Sequence, residues 1–233
     1  MENKFKDKKC LIAVPCGSGY VPFITVNSLM ALKFPCQCSF IMKDRTRTDQ
    51  ARNYFAQEAL IQNCDYLFMM DDDNPVPPDT LEKMLEDDKD IVIAPILSRN
   101  ANKEGENDLC AFYSRDEKID DKIIKIYHNI KDFKEEGYLH QIDAGGCGAI
   151  LIKRKVLEKL NELYSGEIFE YGNIKFSKKY NIEGRMIDKR TMSEDCEFSE
   201  RAINAGFEMW LDDRICPIHI TQFQVVKYKK DKN

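Results

Sequence analysis

The chain has little histidine and tryptophan, three and one in 233 residues. Its nine cysteines include no CxxC pair, which argues against the thiolate spacing of a zinc site. Most of them, Cys10, Cys16, Cys64, Cys110, Cys147 and Cys216 among them, sit inside apolar segments. Cys36 and Cys38 are the close pair, at a period that suits a strand. No apolar run approaches the ~20 residues of a membrane-spanning helix. The first residues, "MENKFKDKK", lack the apolar stretch of a signal peptide. With no export signal the cysteines read as reduced, small and buried, and the expected location is the cytoplasm, for a viral protein that of its host. An excess of positive charge is also missing. The formal net charge of -5 gives no global field that would hold nucleic acid. Basic residues do gather at the two ends (Lys4, Lys6, Lys8, Lys9; Lys227, Lys229, Lys230, Lys232). That pattern suits solvated termini, and it also allows peripheral contact with a membrane surface.

What is present is a globular composition, 43% apolar and 32% charged, in a length that suits one domain with a real core. "KCLIAVPC", "QCSFIMK", "DYLFMM" and "DIVIAPIL" are short apolar runs bounded by turn residues, as strands buried on both faces are. Between them, Tyr20 to Phe34, Thr48 to Asn63 and "PDTLEKMLED" carry helical spacing, with Thr48 or Asp49 as a cap for the second. Strands alternating with helices predict a parallel sheet covered on both faces. The second hundred residues differ. A polar, mobile loop is expected over Asn100 to Asp108, next to antiparallel strands at "CAFYSR" and "KIIKIYHNI". "IDAGGCGAILIKRKVLEKL" reads as a Gly-rich turn, a strand and a helix. "SEDCEFSERAINAG" is a helix stopped by Gly206, followed by a strand at "FEMWLDD" and a short extended piece, "ICPIHI".

Asp71, Asp72 and Asp73 fall directly after the third strand. Packing does not need three adjacent like charges, and in such sheets ligands bind beyond the carboxyl ends of the strands. Carboxylates at that place suit a hard divalent cation shared with a phosphate. Alternation along a strand puts Asp71 and Asp73 on one side and Asp72 on the other. The other reading of the tripeptide is a solvated acidic turn that caps the next helix.

Taken in order, "AVPCGSGYVPFITVNSLMAL", "RTRTDQARNYFAQEAL", "DYLFMMDDDNPVPPDTLEKML", "DAGGCGAILIKRKVLEKL" and "SEDCEFSERAINAGFEMWLDD" resemble the glycosyltransferases of the GT-A fold. The likeness is to the family 2-like branch, which includes short viral and bacterial members, and it spans most of the chain. It implies an α/β fold of GT-A type, a Rossmann-like, mostly parallel sheet flanked by helices with a smaller antiparallel acceptor-side portion. It implies a single domain over 1–233, with a nucleotide-sugar-binding half to about residue 100 and an acceptor-side half over about 101–233. By that resemblance Asp71 and Asp73 form the DxD that holds Mn2+ or Mg2+ on the donor diphosphate, and His219 completes the coordination. Asp72 belongs to the donor site. Asp195 is the base that takes the acceptor proton, with Glu194 beside it in the catalytic pair. Arg45, Asp49 and Arg52 line the nucleotide, and Gly145 and Gly146 let backbone approach the sugar or acceptor. The partners implied are a nucleotide-sugar donor, UDP-linked at family level, and a hydroxyl acceptor that is a glycan, lipid-linked or other.

The chemistry is coherent on its own terms. Transfer from a nucleotide sugar needs leaving-group charge neutralised, and arginines add charge-assisted contacts to phosphate. Inversion needs a base within reach of the acceptor hydroxyl, though retention is compatible with the same residues. Glu194 and Asp195 equally suit the dipole of a helix N-terminus, and Asp143 suits either a substrate contact or a turn cap. Nucleotidyl transfer is the rival enzyme reading, but "PCGSGYVP" carries no lysine or arginine for a basic phosphate loop. A catalytically inactive binding or scaffold protein of the same fold is the rival outside enzymes. The polar stretch Gly166 to Arg190, with Tyr171, Phe176 and Tyr180, is expected to form an acceptor loop or lid.

Overall fold

The computed structural model describes residues 4–102, 104–119, 122–133, 136–171, 180–182, 185–187, 193–221 and 225–227. Most of the expected acceptor loop, Phe176 included, lies outside them, as do Lys229, Lys230 and Lys232. The first hundred residues alternate as β1 (Lys9–Cys16), α1 (Phe23–Ala31), β2 (Gln37–Asp44), α2 (Thr48–Ile61), β3 (Tyr66–Met70), α3 (Thr80–Glu86) and β4 (Ile91–Ile93). There follow β5 (Leu97–Ala101), β6 (Asn107–Leu109), β7 (Ala111–Ile119), β8 (Lys122–Asn129), β9 (Leu139–Ile142), β10 (Ala144–Gly145) and β11 (Ala149–Lys153). The chain continues through α4 (Arg154–Tyr164), β12 (Tyr180–Ile182), β13 (Arg185–Ile187), α5 (Glu194–Asn204), β14 (Met209–Asp212), β15 (Ile218–Ile220) and β16 (Val225–Lys227).

The central sheet has the order β2-β1-β3-β11-β4-β14-β9. β1 pairs in parallel with β2 and β3, and β14 with β4. β11 lies antiparallel between β3 and β4, so those two strands share a direction, and β9 is antiparallel to β14. The sheet is therefore mixed but mainly parallel, flanked by helices, with smaller antiparallel sheets such as β10-β7-β8 beside it. Alternate residues explain the layering. Leu11, Leu67, Met69 and Ile150 face Phe55, Leu157 and Phe198 from α2, α4 and α5. Ile12, Phe68, Met70 and Leu151 face Leu29 of α1 and Leu81 and Met84 of α3. Each such side chain, fully buried, contributes about 1.5–3 kcal/mol.

Several boundaries differ from the sequence reading, for local reasons. "DIVIAPIL" is two elements, because Pro95 cannot donate to a ladder and β5 starts beyond it. Asn100 to Asp108 holds the end of β5 and the start of β6, not a plain loop, and between them the Asn102 side chain accepts from the backbone of Glu104 and Glu106. Neither Thr48 nor Asp49 caps α2. Arg47 stands at the cap, and the Asp49 carboxylate is taken by the Arg47 guanidinium. Gly206 does end α5, at φ 91°. No helix among the described residues is long and apolar enough to cross a membrane.

Candidate active site

The three aspartates that follow β3 are pinned by three different elements. The amide of Asp71 donates to the Gly148 carbonyl just before β11, at 2.9 Å. The carbonyl of Asp72 accepts from the Thr25 hydroxyl of α1, at 2.7 Å. The carbonyl of Asp73 accepts from the Ile220 amide of β15, at 2.8 Å. They stand where two pockets meet. A cleft of about 1000 Å³ opens over the loop after β1 and includes all three aspartates and Tyr20. A smaller pocket of about 220 Å³ is lined by Asp71, Asp73, Asp195, Gly146, Gly148 and His219. Asp72 is absent from the smaller pocket; the three lie in the turn after β3, where the Asn74 amide donates to the Asp71 carbonyl at 3.1 Å.

Arg52 ties this site to α5. It points inward from α2 and is 1% exposed. One terminal nitrogen meets Glu194 at 2.9 Å and also Asp195, and the other meets Asp71 at 3.0 and 3.2 Å. Burial alone would lower the guanidinium, but Asp195, Asp71 and Glu194 hold it well above its ordinary value. Burial pushes Asp71 up to about 6, against the pull of Arg52. Glu194 is raised by burial and by its neighbour Asp195, with Arg52 opposing. Arg52 thus meets three protein carboxylates through its two terminal nitrogens, while its buried Nε has no hydrogen-bond partner. Ser193 caps α5 and accepts from the Cys196 amide at 3.3 Å, which fixes the turn that carries Glu194 and Asp195.

Asp73 and His219 form the second part of the site. The His219 Nδ1 lies 2.5 Å from the Leu97 carbonyl. An N–H donated there leaves Nε2 with its lone pair in the neutral ring. Nε2 lies 3.0 Å from Arg99 Nε and 3.6 Å from Asp73 Oδ2. Arg99 also pairs with Asp73. Burial opposes ionisation of both Asp73 and His219. Their mutual contact outweighs it, with Arg99 helping the carboxylate and the Leu97 carbonyl helping the ring, so Asp73 is lowered and His219 raised.

The expected metal trio does not converge. Among the described residues no group of three His, Cys, Asp or Glu side chains is placed to hold an ion. Asp71 is drawn to Arg52, whereas Asp73 and His219 face one another. That pair fits a divalent ion all the same: one carboxylate, one oriented imidazole, and room for phosphate oxygens in the adjoining cleft.

The remaining candidates are placed unevenly. Arg45 is exposed, has φ 48°, and lays its side chain against Gly19 of the loop after β1. Asp49 is buried and faces Arg47. A Cβ on Gly145 would lie 2.1 Å from Ile93 Cδ1, so this position is closely packed against β4. Gly146 and Gly148 border the smaller pocket, and a Cβ on Gly148 would meet Asn74 Oδ1 at 2.3 Å. Asp143 ties the link between β9 and β10 to β7, accepting from the Ser114 amide at 2.6 Å and its hydroxyl at 3.1 Å. Sequence reasoning missed Arg99, which lies in a hairpin strand with no motif around it, and Asn74, whose burial at 2% nothing in "DDDNPVPP" announces.

No protein-family model matches the chain, and no curated protein matches it. Among solved structures it is similar to A197 from STIV, with TM-score 0.50 and 15% identity over 92% of this chain and 86% of that one. It is also similar to UDP-glucose pyrophosphorylase complexed with UDP-glucose, with TM-score 0.43 and 12% identity over 95% and 92% of the two chains. A third likeness is to S. aureus TarS 1-349, with TM-score 0.44 and 12% identity over 88% and 60%. At such identities a likeness speaks of fold alone. The sheet order above and the likeness to A197 agree on an α/β, Rossmann-like fold with a mainly parallel sheet flanked by helices.

Proposed function

We propose that the chain is a metal-dependent glycosyltransferase of the family 2-like branch, moving a sugar from a nucleotide diphosphate, UDP in the first instance, to a hydroxyl acceptor with inversion. The observation that carries this reading is the meeting of Asp71, Glu194 and Asp195 on one buried arginine, at the wall between a large cleft and a small pocket. The cleft has the volume of a ligand site, about 300–1,000 Å³ in general, and takes the nucleotide. The smaller pocket takes the sugar and the acceptor hydroxyl. Asp195 borders it with its carboxylate 23% exposed, and is the group that accepts the acceptor's proton. Arg52 orients that carboxylate, and Glu194 shares the anchor. Asp73 and His219 would hold Mn2+ or Mg2+, which when bound supplies charge neutralisation on the leaving diphosphate.

Calorimetry of UDP and GDP with and without Mn2+, on the wild type and Asp73→Asn, tests the donor site. UDP binding that needs Mn2+ and is lost in the variant is the expected result. A folded wild type that binds neither nucleotide overturns the reading and leaves the aspartates as an acidic turn.

Nucleotidyl transfer is the second reading, favoured by Arg45. The loop after β1 has no basic residue of its own, yet Arg45 lies against Gly19 and supplies one in space. Pyrophosphate release from a nucleoside triphosphate and a sugar 1-phosphate, lost in Arg45→Ala, would replace the first reading with this one.

A further inference from the structure

Arg99 holds the two groups that an ion would need. It lies two residues past Leu97 on β5. The Leu97 carbonyl orients His219 from one side, and the Arg99 fork covers the same ring's Nε2 at 3.0 Å and reaches Asp73 with its other arm. The members of this trio differ in freedom. The Asp73 and His219 side chains are 16% and 10% exposed, whereas the Arg99 side chain is 62% exposed. Asp73 is also held through its carbonyl by the Ile220 amide, and His219 through Nδ1 by Leu97. Arg99 is therefore the member with room to move, and an ion pair so exposed is weakly held. It borders both pockets, so a ligand in either one is within its reach.

We propose that Arg99 is a cation latch. Its guanidinium occupies the Asp73–His219 pair until a nucleoside diphosphate offers it another anion, and its departure frees the pair for a divalent ion. This rests on the donor-site reading above. A guanidinium and a hard cation compete for the same carboxylate oxygen and imidazole nitrogen, so they exclude one another there. The diphosphate draws Arg99 away and so raises the site's affinity for the ion, beyond what its own oxygens add as ligands. Reciprocity requires the ion to raise affinity for the diphosphate by the same factor. The ion alone then binds poorly, because it must expel Arg99 without providing it a partner.

The test is Mn2+ binding to the full chain, read from the spin-resonance signal of free Mn2+, with and without UDP, for the wild type, Arg99→Gln and Arg99→Lys. Without nucleotide, Arg99→Gln is expected to bind Mn2+ about 5-fold or more tightly than the wild type. UDP should then strengthen Mn2+ binding less than it does in the wild type. Lysine keeps the charge but lacks the fork that spans both partners, so Arg99→Lys is expected between the two. Unchanged Mn2+ affinity in Arg99→Gln, with Mn2+-dependent UDP binding intact, overturns the latch and leaves the donor site standing. Arg99→Lys behaving as wild type overturns the bridging role and reduces Arg99 to a nearby charge. Failure of every protein to bind Mn2+, with UDP present, overturns the donor-site reading and the latch together.

Discussion

Two arginine–carboxylate clusters in this molecule are built inside out relative to each other. In the first, Arg52 is 1% exposed, while Asp71, Glu194 and Asp195 around it are 25%, 9% and 23% exposed. In the second, Arg214 is 28% exposed under the Tyr138 ring, and its partners Asp87 and Asp212 are 1% and 0% exposed. The Arg214 cluster lines neither pocket described above. A buried cation with acids at its rim presents lone pairs to a ligand and keeps them aimed. Buried acids under an exposed cation present nothing, and their role is to join α3 to the turn after β14. Burial raises a carboxylate in both clusters, and beside Arg52 it takes Asp71 to about 6. Burial, then the neighbouring Asp212, pushes Asp87 up to about 7, and its Oδ2 has no hydrogen-bond partner.

The contrast is broken or sharpened most strongly by removing the arginines. Arg52→Met strands three carboxylates and is expected to cost about 3–5 kcal/mol in denaturant unfolding. Arg214→Met should cost less, because Asp212 keeps the Arg214 amide at 2.9 Å and Asp87 can hold a proton. Equal losses would erase the distinction. Next in size is Asp195→Asn, which keeps the fold and donor binding but is expected to lower transfer by about 10²–10⁴-fold. Full activity in that variant, followed by product formation, would show that the rim acids serve α5 alone.

The smallest effect is a pH slope. Folded Asp87 holds its proton up to about 7, whereas a carboxylate at its ordinary 3.8 has lost it by then. Between those values the folded state binds the extra proton, so Asp87's stabilising contribution is whole at low pH and declines as pH rises toward 7. Asp87→Asn should remove that decline from denaturation curves run across the window. An unchanged slope would assign it to another group.

The strands and helices of the first hundred residues were legible because their apolar residues recur at clean periods and turn residues close each run. The position of the aspartates at a strand end was legible for the same reason. The direction of β11 was not: "AILIK" is apolar on both faces, and a period of two carries no arrow. Tyr20 to Phe34 carries helical spacing, and the helix formed is shorter, Phe23–Ala31, with Thr25 and Leu29 buried and Phe23 and Met30 both 79% exposed. Side-chain partnerships were the least legible. Arg52 and Glu194 lie 142 positions apart in the chain, and local pattern does not encode which acid a buried guanidinium will meet.

The place of β11 has a consequence for how the chain can be cut. It enters the sheet between β3 and β4, although residues 94–148 separate it from the nearer of them in sequence. A fragment ending near residue 100 would keep every aspartate after β3, yet leave open strand edges down the middle of its sheet, where other chains can pair. Such late closure makes for slow, long-range assembly. The aspartates after β3 and the sheet that holds them are thus one piece. Grafting or trimming that respects the apparent halves would sever a seam that the topology has sewn across them.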